Sequence, residues 1–247
     1  MQTYKTAEVA TIIGIHPNTV RLYEELKLIP KTERLPNGYR IFTDFHIEQC
    51  RLVRVAFAVE ILQNGLRKKI TQMIKVSATR DFDTALLLID EYTKQVLRER
   101  NNAEEAIEIV KQILSGCENT YTKNLKRSEV SKELGISMDT LRNWEMNGLL
   151  TVKRKENGYR VYTDDDIKRL KVIRSLRCAN YSLEAILRLL NQLSQNPDTD
   201  IRVTLNTPKQ SEEIISVCDR LIVSLSTAER NAYRIKSMLQ DMKIKFS

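Results

Sequence analysis

The sequence is short of the residues that usually build chemistry. It has two histidines and four cysteines in 247 residues, and neither kind clusters. Cys50, Cys117, Cys178 and Cys218 stand apart, with no C-x-x-C pair and no histidine at ligand spacing, which excludes the usual zinc arrangements. No glycine-rich loop is placed to cradle a phosphate and no nucleophile stands beside a base, so nothing reads as an enzyme and no cofactor is expected. His16 reads as a helix cap or a surface group, and His46 as a first-turn helix residue; neither has partners for catalysis. Cys50, Cys178 and Cys218 fall on amphipathic helices, where a thiol acts as a small apolar residue. Cys117, just past a helix end, is the one candidate sensor thiol.

Glycine (7), proline (5) and aromatics (6%) are also scarce, while 29% of residues are charged. That balance predicts a mainly α, helix-rich protein. No apolar run approaches the roughly 20 residues that span a bilayer, and the N-terminus lacks a secretory pattern. A cytoplasmic protein without a membrane partner is the expectation.

What is present is charge, unevenly placed. Residues 1–76 carry 12 basic against 7 acidic side chains, and 121–196 carry 15 against 9. Residues 77–120 reverse the sign, 5 against 9, and 197–247 are nearly balanced at 8 against 7. Two basic regions on a non-basic scaffold are the electrostatic footprint of nucleic-acid-facing modules, or else ordinary solvated surface.

An internal repeat decides between these. Residues 5–54 return as 126–174: Glu8, Val9, Gly14, Ile15, Thr19, Arg21, Glu24 and Leu28 reappear as Glu129, Val130, Gly135, Ile136, Thr140, Arg142, Glu145 and Leu149. After a one-residue deletion, Asn37-Gly38-Tyr39-Arg40 reappears as Asn157-Gly158-Tyr159-Arg160. In the first copy Thr6 can cap a helix over 7–13 that Gly14 ends, and Pro17 opens a second helix; Ser137 is the matching cap in the second copy. Helix, glycine turn and helix at this spacing is a helix-turn-helix. Its second helix would project Asn18, Thr19, Arg21 and Leu22, and in the other copy Asp139, Thr140, Arg142 and Asn143. Small polar groups and an arginine near a helix start suit phosphate and base-edge contact. Leu28 to Arg34 and Tyr39 to Phe42 read as two strands about an Asn-Gly turn, which makes a wing. Thr43 and Thr163 cap the next helices, Asp44 to Val59 and Asp164 to Ala179.

With EVA (EVS in the second copy), T-[VL]-R-x-[YW]-E and NGYR-x-[YF] at these spacings, both copies resemble the MerR family of transcription regulators. The resemblance implies winged helix-turn-helix domains that bind and distort double-stranded promoter DNA beside RNA polymerase, as a dimer joined by an antiparallel coiled coil. Carried over by position, the DNA-contact candidates are Thr19, Arg21, Tyr23, Tyr39 and Arg40, with Thr140, Arg142, Trp144, Tyr159 and Arg160. Tyr23 and Trp144 are either core packing or DNA contacts. Arg67, Lys68 and Lys69 either grip phosphates at a helix start or form a solvated face.

Each copy is followed by a long heptad-patterned stretch. One seam is Leu86, Ile89, Thr93, Val96, Arg100, Ala103, Ile107, Val110 and Leu114; the other is Ile214, Cys218, Leu221, Leu225, Ala228, Ala232, Ile235, Leu239 and Met242. The fold class is therefore mainly α, with two winged helix-turn-helix domains each followed by a long coiled-coil helix. The boundaries read 1–78, first domain; 79–116, first long helix; 117–124, linker; 125–194, second domain; 195–207, connector; 208–247, second long helix. Pairing of the two long helices within one chain, a pseudo-dimer, is favoured over a homodimer, and implies an imperfect inverted repeat with unequal half-sites. A DNA-bending architectural or excisionase-like factor is the alternative.

Overall fold

The computed structural model describes residues 2–59, 62–114, 124–154, 158–194 and 208–247. The helix stop at Ser115-Gly116, the thiol of Cys117, the linker up to residue 123, the turn residue Asn157, the connector and its cap Thr207 lie outside the described residues. The chain divides into two compact units, unit 1 being Met1–Leu97 with Ser224–Ser247 and unit 2 Arg98–Val223.

Unit 1 contains β1 (Thr3–Tyr4), α1 (Thr6–Ile13), α2 (Pro17–Glu25), β2 (Glu33–Arg34), β3 (Arg40–Thr43), α3 (Asp44–Ala56) and α4 (Leu66–Ala78). To these it adds the first half of α5 (Phe82–Leu114) and the last half of α10 (Pro208–Phe246). The start of α1 is capped by Glu8, whose carboxylate accepts from the Lys5 N–H at 2.6 Å; Thr6 is the first helical residue rather than the cap. Gly14, at φ 70°, ends the helix in a left-handed conformation that costs a side-chain-bearing residue about 1 kcal/mol. His16 caps α2, its Nδ1 accepting from the Asn18 N–H at 3.2 Å, and Pro17 follows at the first helical position. The central strand is β3, with Tyr4 opposite Phe42 on one side and Arg34 opposite Arg40 on the other. The expected strand from Leu28 shortens to Glu33–Arg34, because Leu28 and Ile29 are both buried and the Leu28 carbonyl takes the Gln49 amide at 3.0 Å instead of a ladder partner. Val9, Ala10, Val20, Ile29, Phe42, Ile47 and Cys50 form one core.

Unit 2 repeats the plan with α6 (Arg127–Leu134), α7 (Met138–Met146), β4 (Lys153–Arg154), β5 (Arg160–Val161), α8 (Asp164–Cys178) and α9 (Leu183–Ser194). Leu125 bridges Tyr162 where β1 meets β3 in unit 1. Ser137 caps α7, its Oγ accepting from the Thr140 N–H at 3.0 Å. Its core joins Val130, Leu141, Trp144, Ile173 and Leu176 to Ala106, Ile107 and Val110 of α5 and to Val217 and Cys218 of α10.

On α10 the heptad residues from Cys218 to Met242 are all buried, as the pattern predicts; the Ile214 side chain lies outside the described residues. On α5 Ile89, Val96, Ala103, Ile107 and Val110 of the expected seam are buried, the Leu114 side chain lies outside the described residues, and the remaining three positions are displaced by one residue. Ala85, Tyr92 and Glu99 are buried where Leu86, Thr93 and Arg100 were expected, and those three are only half-buried. Glu99 is tolerated inside because Arg174 of α8 grips it with both terminal nitrogens, at 2.8 and 2.7 Å. Within unit 1 the two long helices run antiparallel: Lys236 binds Asp90 at 2.7 and 3.0 Å, and one step outward Lys243 binds Asp83.

Candidate nucleic-acid interface

A recognition surface needs a helix held from behind and open in front. In unit 1, α2 is held by Val20, which is fully buried, and by half-buried Tyr23. On its outer side Asn18 and Arg21 are exposed and Thr19 is half-buried, with Arg21 Nη1 donating to Asn18 Oδ1 at 2.9 Å. In unit 2, α7 is held by Leu141 and Trp144, and exposes Asp139 and Arg142 with Thr140 half-buried. Trp144 is only 4% exposed, so it is a core residue and not a side chain offered to a duplex. It belongs to the same hydrophobic core as Val130 and Leu134.

Beside each helix lies the ribbon. Tyr39 and Tyr159 are 67% and 72% exposed. The arginines that follow them do not reach out as free forks. Arg40 donates Nε to Glu24 at 2.5 Å, and Arg160 donates Nε to Glu145 at 2.8 Å, both being half-buried. The two glutamates are satisfied differently. Glu24 also accepts from the Thr32 N–H at 2.9 Å and the Thr32 hydroxyl at 2.5 Å. Burial alone would raise its carboxyl, but these bonds from Thr32 and Arg40 outweigh it and hold it below its usual range. Glu145 instead accepts from Arg127 at 2.6 Å and from the Tyr162 hydroxyl. Burial, then the bond to Glu145, pushes Tyr162 up to about 12, so it stays a donor. An open hollow of about 640 Å³ beside this network is lined by Lys126, Arg127, Met138, Tyr159 and Arg160.

The roles of Thr32, Arg127 and Tyr162 were missed in the sequence. Glu24 and Glu145 did recur in the repeat, and that recurrence was the available signal. The basic run on α4 divides: the Arg67 guanidinium stacks 3.6 Å above the Phe57 ring and is half-buried, Lys69 pairs with Glu91 at 3.3 Å, and Lys68 is exposed. Arg67 is thus occupied by an aromatic ring, since α4 starts against α3's end. Cys50, Cys178 and Cys218 are buried, and burial pushes each thiol up to about 12, which leaves them unreactive. Among the described residues no group of three His, Cys, Asp or Glu side chains could hold a metal ion, and no helix is long and apolar enough to cross a membrane.

An anchored second helix with an exposed arginine, beside a two-stranded ribbon and present twice, defines the helix-turn-helix class of nucleic-acid-reading proteins. The family model described as "MerR HTH family regulatory protein" matches residues 125–193, and that described as "MerR family regulatory protein" matches 5–42. The chain is 32% identical over 101 residues to the HTH-type transcriptional regulator CueR of Salmonella typhi, covering 40% of this chain and 70% of that one. It is 36% identical over 73 residues to the HTH-type transcriptional regulator AdhR of Bacillus subtilis, 29% of this chain and 52% of that one. With the HTH-type transcriptional regulator ZntR of Escherichia coli K12 it shares 39% over 64 residues, 26% and 45% of the two. The chain therefore belongs to the MerR family. It spans about half the length of AdhR and of ZntR. No solved structure matches the chain significantly.

Proposed function

We propose that the protein is a sequence-specific, double-stranded DNA-binding transcription regulator and not an enzyme, with both modules, 1–78 and 125–194, engaging one promoter site. The observation that carries this is the pair Arg21 and Arg142. Each is exposed, each follows a fully buried residue that fixes its helix, and each occupies the same register of the repeat. The basic charge of both modules supplies the sequence-independent attraction to phosphate. Asn18 and Asp139 then differ at the helix start: an amide suits adenine, while a carboxylate repels phosphate and accepts from a cytosine amine. The site read is accordingly an imperfect inverted repeat with unequal halves, which the protein distorts beside RNA polymerase.

In this reading the chain is a pseudo-dimer, each long helix serving as the other's partner. The antiparallel ion pairs Asp90–Lys236 and Asp83–Lys243 within unit 1 support it. So does a short stretch, residues 117–124, as linker between the first long helix and the second module. The test is solution mass with and without a bound duplex, together with the double variant Arg21→Ala/Arg142→Ala. A single chain per duplex is expected, with affinity in the double variant down at least about a hundredfold and a salt slope smaller by about 2. Two chains per duplex would sink the pseudo-dimer, and unchanged affinity and slope would sink the DNA reading.

A further inference from the structure

One stripe on the outer side of the second helix differs between the modules in a way that the shared function does not require. Positions 18, 22 and 26 of unit 1 lie at i, i+4 and i+8, on one face of α2 and its C-terminal cap. They read Asn18, Leu22 and Leu26. The same register in unit 2 reads Asp139, Asn143 and Asn147. Leu22 is 47% exposed and Leu26 49% exposed. Leu22 sits two positions from Val20, on the side of the helix turned away from the core, and next to exposed Arg21. In unit 2 the stripe is hydrophilic and organised, the Asn147 amide donating to the Asn143 backbone carbonyl at 2.8 Å.

A single exposed leucine is ordinary on a protein surface. Two of them one turn apart, continuous with an asparagine and an arginine suited to base edges, call for a partner that is polar and apolar at once. The major groove is such a surface. Among its base edges only thymine offers a methyl group, and an aliphatic side chain is the natural contact for it. An asparagine at that register takes adenine's paired donor and acceptor instead. We propose that Leu22 is a specificity-determining residue that packs on the C5-methyl of a thymine in the half-site read by module 1, a contact that module 2, with Asn143, does not make. This rests on the DNA-binding reading above.

The experiment uses the full chain and duplexes enriched by it from a randomised double-stranded pool. Each thymine of an enriched duplex is replaced in turn by deoxyuridine, which removes only the methyl. For the unaltered chain, at least one replacement, confined to one half-site, is expected to weaken binding about fourfold, the effect of one buried methylene. That sensitivity should vanish in Leu22→Ala and in Leu22→Asn, while Asn143→Leu should acquire a methyl-sensitive position in the other half-site. Leu22 is exposed, so these variants keep the fold, which a thermal melt verifies. Uracil sensitivity that survives both Leu22 variants, or that appears nowhere, overturns the inference and leaves the DNA-binding reading standing. A chain that enriches no duplex overturns both.

Discussion

In module 1 the carbonyl of Leu28 takes its hydrogen bond from the Gln49 amide; in module 2 the matching carbonyl of Leu149 takes it from the Arg169 guanidinium at 2.8 Å. The start of α3 is closed by His46 Nδ1, which accepts from the Thr43 N–H at 3.0 Å. The start of α8 is closed by Asp166, which accepts from the Thr163 N–H at 2.8 Å. Phe42 and Tyr162 share a place in the ribbon, but only Tyr162 can donate to the glutamate beneath it. The difference teaches that the fold demands a donor or acceptor at a given backbone atom and leaves open which side chain provides it. Free of that constraint, the two modules diverge in buried charge and in the exposed stripe of the second helix.

The sharpest way to separate them is at Arg174. Its pair with Glu99 is almost wholly buried, whereas Arg54, the corresponding residue of module 1, is exposed. Arg174→Ala should cost about 3–5 kcal/mol, since it strands a buried carboxylate. Arg54→Ala should stay within about 0.5 kcal/mol. Urea unfolding measures both, and amide exchange should localise the first loss to α5 and α8. Equal losses would mean the pair contributes nothing that module 1 lacks.

A smaller contrast is expected between Glu145→Gln and Glu24→Gln. Glu145 holds two guanidiniums and a phenol; Glu24 holds one guanidinium and Thr32. Each substitution should cost about 1–3 kcal/mol, the larger loss falling on module 2. The same variants release Arg160 and Arg40 from their anchors. If Glu24→Gln proved the more damaging, the second guanidinium would be redundant.

The smallest effect is in pH. Burial holds the His46 imidazole below its ordinary value of 6.5, opposed by the negative charges of Glu24 and Glu33 and helped by Arg80. The folded form therefore binds the proton less readily than the unfolded one. Its contribution is complete above pH 6.5 and is lost as pH falls below that value toward the depressed one. Exchange protection of α3 amides should thus weaken on acidification from about pH 7 to about pH 5, more than that of α8. His46→Gln should remove that excess, and an excess left intact in the variant would assign it to another group.

The repeat, the glycine turns at Gly14 and Gly135, and the helix caps at Ser137, Thr43 and Thr163 were readable in the sequence, with His16 left between cap and surface group, because each is a local preference of a few neighbouring residues. The seam of α10 was readable as well, being apolar at every step from Cys218 onward. The seam of α5 was readable only in part: Ile89, Val96, Ala103, Ile107 and Val110 are buried as the spacing predicts, but Ala85, Tyr92 and Glu99 replace Leu86, Thr93 and Arg100. Two neighbouring stripes there are comparably apolar, and a glutamate is a poor candidate for the inside until Arg174, 75 positions away, is known to meet it.

Sequence alone thus determined that there are two basic modules of one design, and that each places an arginine at the same position in the middle of its second helix. Tertiary structure decided which candidate side chains are already engaged within the protein. It drew Trp144 into the core, laid Arg67 on Phe57 and tied Arg40 and Arg160 to half-buried glutamates. Side-chain type records what a residue can bind. Only the packed chain shows which partners it has already found, because burial and long-range pairing depend on residues far apart in the sequence.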